Sequence, residues 1–254
     1  MQEIRICLVA HPEELVRSLL PDPSIMIFFD IDGTLIDHDS ASATASLALH
    51  DEFSGQIPFT RDEFPVAWKE IMDRHFERFC RGEVSLWDQR RARIRESFAA
   101  PEMTDAEADA RYHVFIREYE RLTCAYDDAG PCLEQLDGKR LGIISNGARE
   151  QQLGKLRRAR LLHYFDVAVF SEDLGVGKPD QRIFVEACKQ AGQQPSKCIH
   201  VGDNLVADVQ ASHQLGMRPV WVDRIGKVSE APAARITSLA QLGRVLDGEV
   251  RCAS

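Results

Sequence analysis

Ile25-Met-Ile-Phe-Phe-Asp-Ile-Asp-Gly-Thr-Leu-Ile-Asp37 decides how this chain folds. The stretch opens with an unbroken apolar run of strand length and then turns polar. Such runs suit strands buried on both faces of a parallel sheet. Leu141 to Ile144, Val167 to Phe170 and Cys198 to Val201 are runs of the same kind, and Pro219 to Val222 closes the set. Helical patterns lie between them, at Glu150 to Arg158, Asp180 to Gln190 and Val206 to Leu215. Strand alternating with helix predicts an α/β fold around a parallel sheet.

The residues that follow each run carry the chemistry. Asp30 and Asp32 follow the first, Ser145-Asn-Gly147 the second, Lys178-Pro179 the third and Gly202-Asp203 with Asp208 the fourth. Parallel sheets bind ligands at the carboxyl ends of their strands. Four strands would therefore deliver carboxylates, a hydroxyl and an ammonium to one rim. Carboxylates gathered that way repel unless a cation sits among them. An all-oxygen set suits a hard cation, Mg²⁺ first. A metal and Lys178 beside carboxylates make a site for an anionic group, and a phosphoryl group fits best. One carboxylate of the Asp30–Asp32 pair can attack phosphorus while the other moves a proton. Gly33 permits a tight bend after the pair.

The stretch from about Asp37 to Asp127 breaks the alternation. It holds helix-start signals at Thr60-Arg-Asp-Glu63, Ser85-Leu-Trp-Asp88 and Thr104-Asp-Ala-Glu107. Phe64, Trp68, Ile71, Met72, His75, Phe76 and Phe79 recur at helical spacing, as do Tyr112, Phe115, Ile116 and Tyr119. An all-helical insert is expected. Its basic run, Arg90, Arg91, Arg93 and Arg95, reads by default as a solvated helix face. Trp68, Phe76, Phe79 and Trp87 read as core, and His200 as a packed strand residue.

Asp30-Ile-Asp-Gly-Thr-Leu-Ile-Asp37, Ser145-Asn-Gly147, Gly177-Lys-Pro-Asp180 and Gly202-Asp203 with Asp208 together resemble the haloacid dehalogenase superfamily. The likeness spans four ordered motifs from Ser24 to about Leu246. It implies a Rossmann-like core at 24–37 and 127–254, with a helical cap at 38–126. It implies that Asp30 is the nucleophile and Asp32 the acid/base. Mg²⁺ would be held by Asp30, the backbone carbonyl of Asp32, Asp203 and Asp208, the last directly or through water. Ser145 and Asn146 would bind the phosphoryl oxygens, and Lys178 would hold both nucleophile and phosphoryl group. The expected reaction is cleavage of a small phosphate monoester through an aspartyl-phosphate. His75-Phe-Glu-Arg-Phe and Gly82-Glu-Val-Ser85 are loosely similar to bacterial nucleoside 5′-monophosphatases. Sugar-phosphate or phosphoglycolate phosphatases, mutases and phosphonatases are alternatives within the superfamily. The last would need Lys69, the single lysine between Asp37 and Asp128, as Schiff base. Dehalogenases lack the second aspartate, so Asp32 disfavours that chemistry. A non-catalytic regulatory module would require a broken motif, and none is broken.

The composition agrees. A 254-residue chain with 44% apolar residues can bury a substantial core, and its net charge of −9 disfavours nucleic acid as a partner. The partner expected is a small phosphorylated metabolite, with the protein a monomer or homodimer. Seven scattered cysteines without a C-x-x-C pair argue against a disulfide framework or zinc site. No run is long enough to span a membrane, and the first residues lack a signal-peptide core, so a cytoplasmic location is expected. Residues 1–23 read as an extension of unknown role, with a short strand over Glu3 to Val9 and a helix from Pro12 to Leu20. Gly175-Val-Gly177-Lys178 is not a P-loop, because Glu172 holds the first glycine position and Pro179 follows the lysine.

Overall fold

The computed structural model describes residues 25–226 and 230–248, so the readings made for residues 1–23 lie outside it. Its strands are β1 (Met26–Phe29), β2 (Arg140–Ser145), β3 (Val167–Phe170), β4 (Cys198–Gly202), β5 (Arg218–Val222) and β6 (Ala234–Ile236). They form one parallel sheet in the order β3-β2-β1-β4-β5-β6. The first five match the apolar runs. β6 went unread, because three residues with an exposed Arg235 between buried Ala234 and Ile236 offer too short a pattern.

The helices are α1 (His38–Glu52), α2 (Phe64–Cys80), α3 (Leu86–Ser97), α4 (Asp105–Leu122), α5 (Ala129–Gln135), α6 (Arg149–Arg158), α7 (Ser171–Leu174), α8 (Gln181–Ala191), α9 (Ala211–Gln214) and α10 (Leu242–Leu246). A π-helical turn over Leu205–Gln210 leads into α9. Successive strand residues point to opposite faces. Ile27, Phe29, Ile143 and Val201 pack with Leu133 of α5, Leu156 of α6 and Leu242 of α10. Met26, Phe28 and Ile144 pack with Ile183, Phe184 and Ala187 of α8. Both faces are covered, which explains why the strands read as continuous apolar runs.

Helices α1 to α4 lie between β1 and β2 and have an apolar core of their own. There Trp68 meets Phe115 with ring centroids 4.4 Å apart, and Phe115 stacks on Tyr119. Of the capping signals, Thr104 and Glu107 form a reciprocal box at the start of α4, and Ser85 caps α3. Thr60 and Glu63 also bond reciprocally, but they close a turn. The helix starts one residue later, at Phe64, with a proline in its first turn. Helix α1 carried no strong signal, because its buried face is small: Ala41, Ser42, Ala45, Ser46 and Leu49. The entry and exit of this four-helix segment run side by side, with Ile36 bridged to Ala125. Arg224 pins that junction, donating to the Thr34 carbonyl at 2.8 Å and pairing with Asp128 at 2.9 Å. No described helix is long and apolar enough to cross a membrane.

Candidate active site

The register brings the polar strand ends level. Phe29 pairs with Ile143 on one side and Val201 on the other, so Asp30 emerges beside the loop that carries Asp203. The strand order runs outward in opposite directions from β1 and β4, which are parallel neighbours, and such a switch point opens a crevice for ligands. Two glycines let the carboxylates close in. Gly33 has a φ of +83°, and a Cβ there would lie 2.5 Å from Asp203 Oδ2. A Cβ at Gly202 would lie 2.3 Å from Asp208 Cγ.

Oxygens of Asp30, Asp203 and Asp208 all lie within 4.8 Å of one another. Lys178, only 4% exposed, donates to Asp30 Oδ1 and to Asp208 Oδ1, each at 2.6 Å. His200 is indeed packed in its strand, against Phe184, but its Nε2 also meets Asp208 Oδ1 at 2.9 Å. The Asn204 amide donates to Asp208 Oδ2 at 3.0 Å. Burial pushes the Asp30 carboxyl up to about 7, with Lys178 opposing and Asp208 adding to the rise. Burial, then Asp30 and Asp208, hold Asp203 well above the carboxylate range. Burial would raise Asp208 too, but Lys178 and His200 outweigh it and keep that carboxylate ionised. Burial opposes the Lys178 charge, yet Asp208 and Asp30 hold it firmly protonated. Three carboxylates gather around one ammonium that contacts two of them, and this oxygen-rich set fits a hard divalent cation.

Asp32 stands apart in a different setting. Lys155, 3% exposed, donates to both its oxygens at 2.7 Å, and Gln152 Nε2 donates to Oδ2 at 2.9 Å. His38 Nδ1 lies 3.9 Å from Oδ1 and 2.6 Å from the Tyr119 hydroxyl. Burial works to raise the Asp32 carboxyl, but Lys155 and His38 prevail and hold it below its ordinary value. The reading of the sequence missed Gln152 and Lys155. Their signal was there: on α6 they share the buried face with Leu156, at spacings of three and four, where apolar residues were due.

Ser145 is buried at the end of β2, its hydroxyl accepting from Gln152 Nε2 at 3.0 Å. The Asn146 side chain ties two motifs together. Its Oδ1 accepts from the Lys178 amide at 2.7 Å, and its Nδ2 donates to the Lys178 carbonyl at 2.9 Å. Asp30, Ser145, Asn146 and Asp203 lie at strand ends, Asp32 follows two residues after Asp30, Lys178 follows α7, and Asp208 sits in the π-helical turn.

A cavity with about 700 Å³ of free space, partly open to solvent, lies between Asp32 and the helical segment. The basic run of α3 divides around it. Arg91 pairs with Asp109 at 2.7 Å and Arg95 pairs with Asp105, away from the cavity. Arg90 and Arg93 are buried and line it, which corrects their reading as a solvated face. Burial draws the Arg93 guanidinium below its ordinary range. Phe76 also lines the cavity and Trp87 is exposed, so only Trp68 and Phe79 of that aromatic set are core.

A family model described as haloacid dehalogenase-like hydrolase matches residues 26–216. Pyrimidine 5′-nucleotidase YjjG of Escherichia coli strain K12 is 29% identical over 225 residues, covering 87% of this chain and 96% of that protein. HAD-hydrolase YfnB from Bacillus subtilis, solved bound to magnesium, shares the fold with a TM-score of 0.76 at 23% identity, covering 88% of this chain and 98% of its own. The 2-haloacid dehalogenase from Pseudomonas syringae pv. Tomato DC3000 gives a TM-score of 0.67 at 30% identity, covering 89% and 99%.

Proposed function

Because the chain belongs to the haloacid dehalogenase-like hydrolase family, we propose that it is a Mg²⁺-dependent phosphohydrolase cleaving a small phosphate monoester through an aspartyl-phosphate. The observation that carries this reading is Asp32, a second carboxylate that lines the cavity and is held by its own ammonium. A halide departs without a proton, so a dehalogenase has no use for this group. An alkoxide leaving phosphorus needs one.

Asp30, Asp203, the carbonyl of Asp32 and Asp208 would hold the metal. Asp208 already accepts three donors, which leaves it the weakest direct ligand and suits contact through water. When bound, Mg²⁺ supplies positive charge against the phosphoryl oxygens, so that an anionic nucleophile can approach. Lys178 orients Asp30 for attack. The Asp30 oxygen bonds to phosphorus as the bond to the leaving oxygen breaks, and Asp32 gives that oxygen its proton. Asp32 then takes a proton from water, whose oxygen attacks phosphorus and releases Asp30 and inorganic phosphate. In the free protein Lys155 keeps Asp32 ionised, which suits the second step. An arriving phosphoryl dianion raises its affinity for a proton and prepares the first. Ser145 and the Asn146 backbone receive phosphoryl oxygens. The four-helix segment 38–126 acts as a cap over the rim and keeps water from the intermediate.

Phosphonate cleavage is disfavoured. Lys69 pairs with Asp39 at 3.2 Å and Asp73 at 3.3 Å; burial would lower its affinity for a proton, but these carboxylates raise it. A protonated amine does not form a Schiff base. Nucleoside 5′-monophosphates are one candidate substrate class, supported by the likeness to YjjG. The test is a panel of nucleoside monophosphates, phosphoglycolate, sugar phosphates and p-nitrophenyl phosphate, assayed with Mg²⁺ and with EDTA. Turnover that needs Mg²⁺ and is lost in EDTA is expected. Turnover indifferent to EDTA would remove the metal from the mechanism.

A further inference from the structure

We infer that the cavity takes a phosphate monoester of a hydroxy acid, whose carboxylate is gripped by Arg93 and Arg90. The inference rests on the phosphohydrolase reading and names its substrate class. Arg93 is 5% exposed and lines the cavity, and its Nε is buried with no hydrogen-bond partner. Its guanidinium lies over Trp68 at 4.9 Å, Tyr112 at 5.4 Å and Phe115 at 5.7 Å. Those rings stabilise a cation through their faces, and Tyr112 also hydrogen-bonds the guanidinium through its hydroxyl, but none of them carries a counter-charge. Arg90 stacks on Tyr112 at 5.0 Å and donates to Gln151 Oε1 at 2.9 Å, a neutral partner. Neither arginine has a carboxylate partner among the described residues.

The fold supplied carboxylates to the neighbouring arginines, since Arg91 and Arg95 on the same helix are both paired. The two guanidiniums that face the cavity are the two left without one. Buried cations without a counter-charge are costly, and a planar guanidinium matches a carboxylate through two parallel hydrogen bonds. Gln89, 2% exposed on the same wall, has a buried Oε1 without a partner. That oxygen suits a hydroxyl or ammonium beside the acid group. Asp32, which is to deliver the proton to the leaving oxygen, lines the same cavity. A nucleoside offers nothing that would neutralise the two cations.

The experiment measures kcat and KM with Mg²⁺ for matched pairs: 3-phosphoglycerate against glycerol 3-phosphate, and phosphoglycolate against 2-hydroxyethyl phosphate. The carboxylated member of each pair is expected to have at least about tenfold higher kcat/KM. Arg93→Gln should collapse that ratio mainly through KM, Arg93→Lys should recover part of it, and Arg91→Gln should leave it unchanged. Wild-type ratios near one, or a nucleoside monophosphate preferred over every acid, overturn the inference. So does a folded Arg93→Gln protein that loses both members of a pair equally. If Arg93→Gln does not fold, Arg90→Gln and the wild-type ratios decide. Hydrolysis of p-nitrophenyl phosphate without a preference for acids defeats this inference alone. No turnover of any ester, p-nitrophenyl phosphate included, defeats the phosphohydrolase reading and this inference with it.

Discussion

On the sheet side of the cleft, Lys178 pairs with Asp30 and Asp208, and Asp203 lies beside them with no ammonium of its own among the described residues. On the helical side, Arg90 and Arg93 have no carboxylate among the described residues. Both regions are buried and electrostatically incomplete, in opposite senses. Arg91–Asp109 and Arg224–Asp128, by contrast, are matched pairs. An unmatched buried charge is expensive, so its survival marks a place where a ligand completes the set. The sheet side fits a cation and a phosphoryl group, and the helical side fits an anion.

The largest effect should come from the sheet side. Asp30→Asn removes the attacking oxygen and keeps the shape, and steady-state assays should show a loss of about 10⁴-fold or more in kcat. Measurable Mg²⁺-dependent turnover above that level would remove Asp30 from the nucleophile's role. Asp32→Asn should cost about 10²–10⁴-fold with alkyl phosphates and clearly less with p-nitrophenyl phosphate, whose leaving group needs no acid. Equal losses on both would mean that Asp32 does not move the proton.

Metal binding should depend on pH in a sense set by the same cluster. Asp30 and Asp203 are raised in the folded protein. Each therefore contributes stability that is full below the unfolded carboxylate value of about 3.9 and is lost, for Asp30, as pH rises through about 7. Mg²⁺ binds the ionised forms, so its stabilisation should grow across that window. It should approach about 2.7 kcal/mol at a hundredfold excess over Kd, read as a larger rise in Tm at pH 7.5 than at pH 5. An increment that does not change with pH would separate these carboxylates from the metal. The smallest effect lies far from the cleft. Thr104→Ala removes the capping box of α4 and should cost about 1 kcal/mol in denaturant unfolding, with kcat unchanged. A changed kcat would show that the stability of the helical segment governs the chemistry.

Each rim motif was legible because it follows an apolar run, and a parallel sheet needs such runs buried on both faces. Five of the six strands among the described residues could be read that way, whereas β6 is too short to carry a period. Gln152 and Lys155 were harder. A polar residue on the buried face of a helix looks like noise until the carboxylate it meets is known, and Asp32 lies more than a hundred positions earlier. The division of the arginines was not legible at all. Arg90, Arg91, Arg93 and Arg95 are near neighbours of one chemical type, and which of them faces a carboxylate depends on where α4 is packed.

The sequence by itself determined the alternation of strand and helix, the order of the motifs and the gathering of carboxylates beside a lysine. Those features follow from local apolar pattern and from the rule that parallel strands present their ends on one rim. Only the tertiary structure decided that Asp208 is held by Lys178 and His200, that Asp32 is held by Lys155, and that two arginines face the cavity unpaired. Those are contacts between distant segments, and their strength depends on burial and on orientation, which spacing along the chain does not encode.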